Sequence, residues 1–227
     1  MSANRKHIFW DWNCTLLDDA EVILACVNTS LKMFAPAPLS MERFRQIPTT
    51  SLHDLYRMSG VPEEKIEDAL IAERDIFHDN YERQADHVPL RKGAAGLLQK
   101  LKNNDVANII VSNHITDQII RLLKLRDIHH YFDEVLAFVD RAKQFRDITK
   151  SQRLRDYAED NGVALSTAFI VGDTIEEIEI GHELGLCSVA ITGGLTSEER
   201  LKAAKPDHLV HSLEELDGLF KERSFIV

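Results

Sequence analysis

Cysteine is scarce in this sequence: Cys14, Cys26 and Cys187 are the only three in 227 residues, and they lie far apart. An odd, scattered set builds neither a disulfide framework nor a clustered zinc site, and it suits a reducing compartment. Basic charge is also in deficit, with Lys and Arg totalling 27 against 37 Asp and Glu, a formal net charge of −10. Nucleic acids and anionic membranes are met by faces rich in Lys and Arg, so neither is an expected partner, although a local basic pocket for a small anion stays open. No apolar run approaches the roughly 18 residues of a membrane span. The first segment reaches Asp11 before the apolar stretch of a signal peptide can form, so a cytoplasmic location is expected. Internal repeats and low-complexity segments are missing as well. What is present is a globular composition, 44% hydrophobic and 28% charged, long enough for one large domain or for a domain carrying a smaller insert.

Short, almost continuously apolar runs punctuate the chain at HIFW (7–10), ANIIVS (107–112), EVLAFV (134–139), TAFIVG (167–172) and CSVAIT (187–192). Strands buried on both faces of a parallel sheet read this way. HLVH (208–211) can add an edge strand. Between the runs, helical spacing covers 93–101, 115–125, 150–160, 175–184 and 197–204, with Gly162 and Gly185 placed as helix stops. Strand alternating with helix predicts a doubly wound, Rossmann-like α/β sheet whose ligands sit at the carboxyl ends of the strands. From about Asp19 to His87 the rhythm breaks, leaving only helical patterns separated by APAP, IPTT and SGVP. The expected organisation is an α/β core formed by residues 1–18 and 88–227, with an all-helical insert over 19–87.

Four places at strand ends carry chemistry, each with a plainer structural alternative. Asp11 directly follows the first strand, where a carboxylate serves as nucleophile or metal ligand, or else simply forms a turn with Asn13. Ser112 and Asn113 end the second strand, placed to hold an anion or to cap a helix. Gly172, Asp173, Glu176 and Glu177 follow the fourth, suited to a hard cation or to an acidic first helical turn. Lys150 opens a helical pattern and either reaches a phosphate or is a solvated surface lysine.

Taken in this order, the four motifs resemble the haloacid dehalogenase-like hydrolase superfamily, and most nearly its phosphoglycolate-phosphatase-like branch with a helical cap after the first motif. The resemblance runs nearly the full chain, through Pro89–Leu101, the Tyr131–Leu136 segment and Pro206–Leu216. It implies a Mg²⁺-dependent phosphohydrolase acting on a small phosphorylated metabolite through an aspartyl-phosphate. Asp11 is then the nucleophile. Ser112 binds the transferring phosphoryl group, with Thr15 and Asn113 beside it. Lys150 neutralises nucleophile and phosphate, with Lys143 as the alternative lysine. Asp11, Asp173, Glu177 and the backbone carbonyl of Asn13 form the Mg²⁺ cradle.

The sequence departs from the family at two positions. Asn13 stands where the family has the Asp that protonates the leaving oxygen and activates water, and loss of a general acid–base costs about 10²–10⁴ in rate. Cys14 stands where the family has Gly, at a turn that is strained if the backbone needs positive φ. Asn13 leaves three readings: a phosphohydrolase that tolerates the amide, a phosphate-binding or regulatory pseudoenzyme, and, last, a dehalogenase or phosphonate-cleaving relative. His114 reads as a surface histidine at a helix start, with a replacement proton donor as the alternative. In the insert, Thr49, Thr50 and His53 are candidate substrate contacts, with Arg43 and Arg45 just before them to attract an anion, against a reading as capping and solvated residues. The expected partner is a small phosphorylated substrate. Nothing in the sequence fixes an oligomeric state.

Overall fold

The computed structural model describes residues 5–47, 52–140 and 148–226. Six strands form one parallel sheet: β1 (His7–Trp10), β2 (Ala107–Ile115), β3 (Glu134–Phe138), β4 (Phe169–Gly172), β5 (Cys187–Ile191) and β6 (His208–Val210). Their order across the sheet is β3-β2-β1-β4-β5-β6, with β6 at one edge as expected. This is the doubly wound α/β architecture.

Side chains alternate cleanly between two buried faces, as a period of two requires. Ile8, Trp10, Ile110, Val171 and Ile191 join the larger core, which also takes in apolar residues of α5 (Ala94–Asn103), α6 (Thr116–Leu125) and α10 (Leu213–Glu222). Phe9, Ile109, Val111 and Ile170 face the other way, onto Leu154 of α7 (Lys150–Asn161) and Ile180 of α8 (Ile175–Leu184). Ile178, Ala190 and Leu201 of α9 (Glu198–Ala203) make a smaller cluster. The strands read as unbroken apolar runs because both faces are covered. The two expected helix stops hold, since Gly162 and Gly185 adopt φ of 64° and 76° and end α7 and α8 in the left-handed conformation.

Four helices lie between β1 and α5: α1 (Ala20–Leu31), α2 (Met41–Phe44), α3 (Leu52–Met58) and α4 (Glu63–Ala85). No strand occurs among the described residues of this stretch, in line with the expected helical insert. The chain leaves and re-enters the core through two neighbouring segments tied antiparallel. Leu17 bridges Leu90, the Asp18 N–H donates to Pro89 O at 3.0 Å, and the Arg91 N–H donates to Leu16 O at 2.9 Å.

β2 differs from the sequence expectation. It runs on past Ser112 to Ile115, with an irregular register against β3 between Val111 and Ile115. The residues read as the turn after the strand are therefore its distorted carboxyl end. β-Branched Ile115 supports extension, and the first helical residue moves to Thr116.

Candidate active site

β1 ends at Trp10, but the Asp11 N–H still donates to Val171 O at 2.9 Å, so the sheet fixes the backbone that carries the Asp11 side chain. Lys150 is delivered by the start of α7, whose cap is set by the Thr149 hydroxyl accepting from the Gln152 N–H at 3.1 Å. The lysine is only 3% exposed, which excludes the solvated alternative. Its Nζ donates to Asp11 Oδ1 at 2.9 Å and to Glu177 Oε1, and lies 3.7 Å from Glu176 Oε2.

Asp173 follows β4 and is buried. Its Oδ1 accepts from the Thr15 hydroxyl at 3.1 Å and its Oδ2 from the Leu195 N–H at 2.7 Å. Glu177 satisfies both of its sequence readings. Its Oε2 accepts from the Thr174 N–H and hydroxyl in a capping box, while its Oε1 receives Lys150. Two glycines make room for these acids. A Cβ at Gly172 would stand 2.2 Å from Glu177 Cγ, and one at Gly194 would stand 2.1 Å from Asp173 Oδ2. Gly172 is thus required for close approach to Glu177 rather than for a left-handed turn.

Ser112 is 1% exposed, and its hydroxyl accepts from the His114 N–H at 3.2 Å. Asn113 links two neighbours, donating through Nδ2 to Glu176 Oε2 at 2.8 Å and accepting at Oδ1 from Arg153 at 3.1 Å. Arg153 also donates to Ser112 O at 3.0 Å, and its guanidinium lies 4.3 Å from the centroid of the Phe138 ring. It therefore braces the distorted end of β2, a role without a motif to announce it. His114 is not a surface residue. It is 6% exposed, and its ring meets that of Tyr81 on α4 edge-on, with centroids 5.3 Å apart.

Asn13 lies in the same loop as Asp11 and Thr15, its amide turned toward Asp19 and Tyr81. Cys14 adopts φ of +58°, so the turn does ask for the conformation glycine favours. Partial compensation comes from the Cys14 N–H and Sγ, which donate to Asp19 Oδ1 at 2.7 and 3.3 Å. Burial, then the Asp19 and Asp173 charges, push the Cys14 thiol well above its ordinary pKa, as an inert cysteine requires.

Of the expected substrate contacts in the insert, Thr49 and Thr50 lie outside the described residues, as does Lys143. His53 is exposed and pairs with Glu63 at 3.2 Å, at the start of α4. Arg45 is not left facing solvent for an anion. Its guanidinium donates to the carbonyls of Gly194 and Gly193, each at 2.8 Å, fastening the insert to the loop that holds Asp173.

Asp11, Glu176 and Glu177 meet a single lysine, with Asp173 close by, and the crowding shifts the acidities of Asp11, Asp173 and Lys150. Burial raises Asp11 well above the usual carboxylate range, more than Lys150 lowers it. Burial and the Glu177 charge push Asp173 up to about 7. Burial also opposes the charge on Lys150, but Asp11, Glu177 and Glu176 together hold its pKa well above the ordinary lysine value. Among the described residues no group of three or more His, Cys, Asp or Glu side chains is gathered as a ready coordination cluster. None of their helices is long and apolar enough to cross a membrane.

Carboxylates at the carboxyl ends of the adjacent parallel strands β1 and β4 gather around a lysine at the switch point of the sheet, the place where open α/β folds hold ligands. The chain belongs to the haloacid dehalogenase-like hydrolase family, whose model matches residues 8–191. It is 24% identical over 212 residues to Pyrophosphatase PpaX of Bacillus cereus strain Q1, covering 92% of this chain and 93% of that one. It is likewise 24% identical over 213 residues to the Phosphoglycolate phosphatase of Synechococcus elongatus, covering 92% and 94%. Among solved structures, a haloacid dehalogenase-like family protein from Streptococcus pneumoniae superposes with a TM-score of 0.78 at 22% identity, covering 97% of this chain and all of that one. One described as a predicted phosphatase from Clostridium acetobutylicum gives 0.77 at 24%, covering 96% and 99%. The structural likenesses establish the fold. The protein is a haloacid dehalogenase-like hydrolase, and the curated relatives it matches over nine-tenths of its length are phosphatases by name.

Proposed function

We propose that this hydrolase is a Mg²⁺-dependent phosphatase that releases phosphate from a small phosphorylated metabolite through an aspartyl-phosphate at Asp11. The observation that carries this reading is the buried contact of Lys150 Nζ with Asp11 Oδ1 at 2.9 Å, set among acids that one lysine does not balance. A dianionic substrate adds further negative charge, so the donor set suits a divalent cation held by oxygen ligands. Asp11, Asp173, Glu177 and the Asn13 carbonyl would hold it. Bound there, the cation would neutralise developing charge on the phosphoryl oxygens.

The protein's own groups account for the rest. Asp11 supplies the attacking carboxylate oxygen, and Lys150 fixes that carboxylate and offsets its repulsion from the incoming phosphate. Ser112 and Asn113, braced by Arg153, bind the transferring group, and Thr15 keeps Asp173 oriented through its hydroxyl. Water then attacks phosphorus and returns the electron pair to Asp11. Residues 19–87 act as a cap over the core formed by 1–18 and 88–227, with Thr49, Thr50 and His53 as candidate substrate contacts. Closure over the strand ends excludes bulk water.

Mg²⁺-dependent release of phosphate from p-nitrophenyl phosphate, abolished by Asp11→Asn and by EDTA, is the expected result. Inactivity on a broad phosphate panel, with phosphate and Mg²⁺ still bound, would instead assign the protein a binding role. Halide release from a 2-haloacid without metal would replace the phosphatase reading altogether.

A further inference from the structure

Asn13 is half-buried, two residues beyond Asp11. Its Nδ2 donates to Asp19 Oδ2 at 2.6 Å and to the Tyr81 hydroxyl at 2.7 Å. That hydroxyl gives its single hydrogen to the same Asp19 oxygen at 2.5 Å, so toward Asn13 it can only accept. Both neighbours therefore demand a donor. Turning the amide over would set its carbonyl oxygen against a carboxylate and a hydroxyl already committed, so the surroundings dictate the flip.

Asp19 is well placed to enforce it. The residue is fully buried, and its Oδ1 accepts from the Cys14 N–H and Sγ. Although it stands at the N-cap of α1, its side chain makes no capping bond there. Tyr81 is 1% exposed on α4, wedged against the rings of Phe77 and His114. Both hydrogens of the Asn13 amide are thus occupied, and among the described residues nothing donates to its Oδ1. Position 13 offers the reaction an acceptor and no proton.

We propose that Asp19, assisted by Tyr81, is a positioning residue that locks the Asn13 amide in this orientation, and that the site consequently takes phosphoryl groups carried on a stable oxyanion, as in pyrophosphate or an acyl phosphate, rather than alkyl phosphate esters. This rests on the phosphatase reading above. In the first step the Asp11 oxygen–phosphorus bond forms while the bond to the leaving oxygen breaks, and the electron pair leaves with an oxygen that needs no proton. In the second, water attacks phosphorus with one hydrogen directed at Asn13 Oδ1. The bond to Asp11 breaks with its electron pair, and both hydrogens of the water leave on the phosphate product.

Positions 13 and 19 form a complementary pair, amide against carboxylate. Asn13→Asp alone would set two carboxylates in contact, whereas Asn13→Asp with Asp19→Asn restores the pairing and turns the acid toward the reaction.

The test is steady-state kinetics with Mg²⁺ on pyrophosphate, acetyl phosphate and ethyl phosphate. Wild type is expected to turn over the first two at least about 10² faster than the ethyl ester, the low end of what a general acid contributes. The exchanged pair should narrow that ratio about tenfold or more, through kcat on the ethyl ester, and Asn13→Asp alone should narrow it less. Equal turnover of all three substrates by wild type would overturn this proposal alone, since the phosphatase reading would stand. So would a single Asn13→Asp that matches the exchanged pair. No phosphate released from any substrate would overturn both.

Discussion

Asp173→Asn should stabilise the metal-free protein at pH 8, because the carboxylate is held folded against its own charge. Its folded pKa of about 7 lies above its ordinary value of 3.8. Between those two values the folded state keeps a proton that the unfolded chain has lost, so this group's contribution to stability falls as pH rises from about 4 to about 7 and is flat beyond. A gap of about 3 units corresponds to about 4 kcal/mol as an upper bound. For a chain of this size that is on the order of 10 °C in Tm. The amide retains the local hydrogen bonds: its oxygen can accept from the Leu195 N–H, and its nitrogen can donate to a rotated Thr15 hydroxyl. Thermal unfolding in EDTA at pH 5 and pH 8 reads the difference between wild type and variant, cancelling titration elsewhere in the molecule. The variant should gain several degrees at pH 8 and much less at pH 5. Added Mg²⁺ should then narrow the difference at pH 8, since a ligand present at 100 times its Kd adds about 2.7 kcal/mol to the form that binds it. A lower Tm for the variant in EDTA at pH 8, or an equal effect at both pH values, would refute the account of an acid-rich centre waiting for a cation.

Gly194→Ala should weaken Mg²⁺ binding at least tenfold by calorimetry while leaving the circular dichroism spectrum unchanged, because its Cβ would fall 2.1 Å from Asp173 Oδ2 and drive that carboxylate aside. Unchanged affinity would show that the carboxylate position does not matter to the metal. In the native protein at pH 8, Cys14 should react with iodoacetamide far more slowly than free glutathione, since burial and the neighbouring carboxylates suppress its thiolate. Comparable labelling rates by peptide mass spectrometry would contradict that.

The strands and the surrounding helices were legible because burial on both faces of the sheet writes itself as continuous apolar runs. Asp11, Ser112 and Asp173 stand out for a related reason: they sit at the ends of those runs, where a polar residue is conspicuous, while Lys150 at a helix start carries weight only in their company. Asp19, Tyr81 and Arg153 do not stand out. Asp19 begins a helix, and Tyr81 lies on an amphipathic helix 62 residues later, so neither position is unusual for its type until the chain folds them onto Asn13. Arg153 looks like one more basic residue on a polar helix, and only the distorted end of β2 gives it a task. Arg45 was misjudged in kind, because its partners are backbone carbonyls of a glycine pair, which leave no side-chain signature. The end of β2 was drawn too short for a similar reason: Ser112 and Asn113 have turn-like chemistry but extended geometry.

The paired crossing at Leu17 and Leu90 has a consequence for how this fold tolerates change. Because the two ends of the helical segment are clamped side by side within the core, its length adds little to the entropy of closing the loop, about 0.6 kcal/mol for each doubling. Away from the residues that touch the core, the stretch between the clamps can change in length at small entropic cost to closing it. Under the proposed function, chemistry at Asp11 and recognition of the departing group can therefore diversify at separate rates in one polypeptide, joined where side chains such as Tyr81 and Arg45 tie the helical segment to the core.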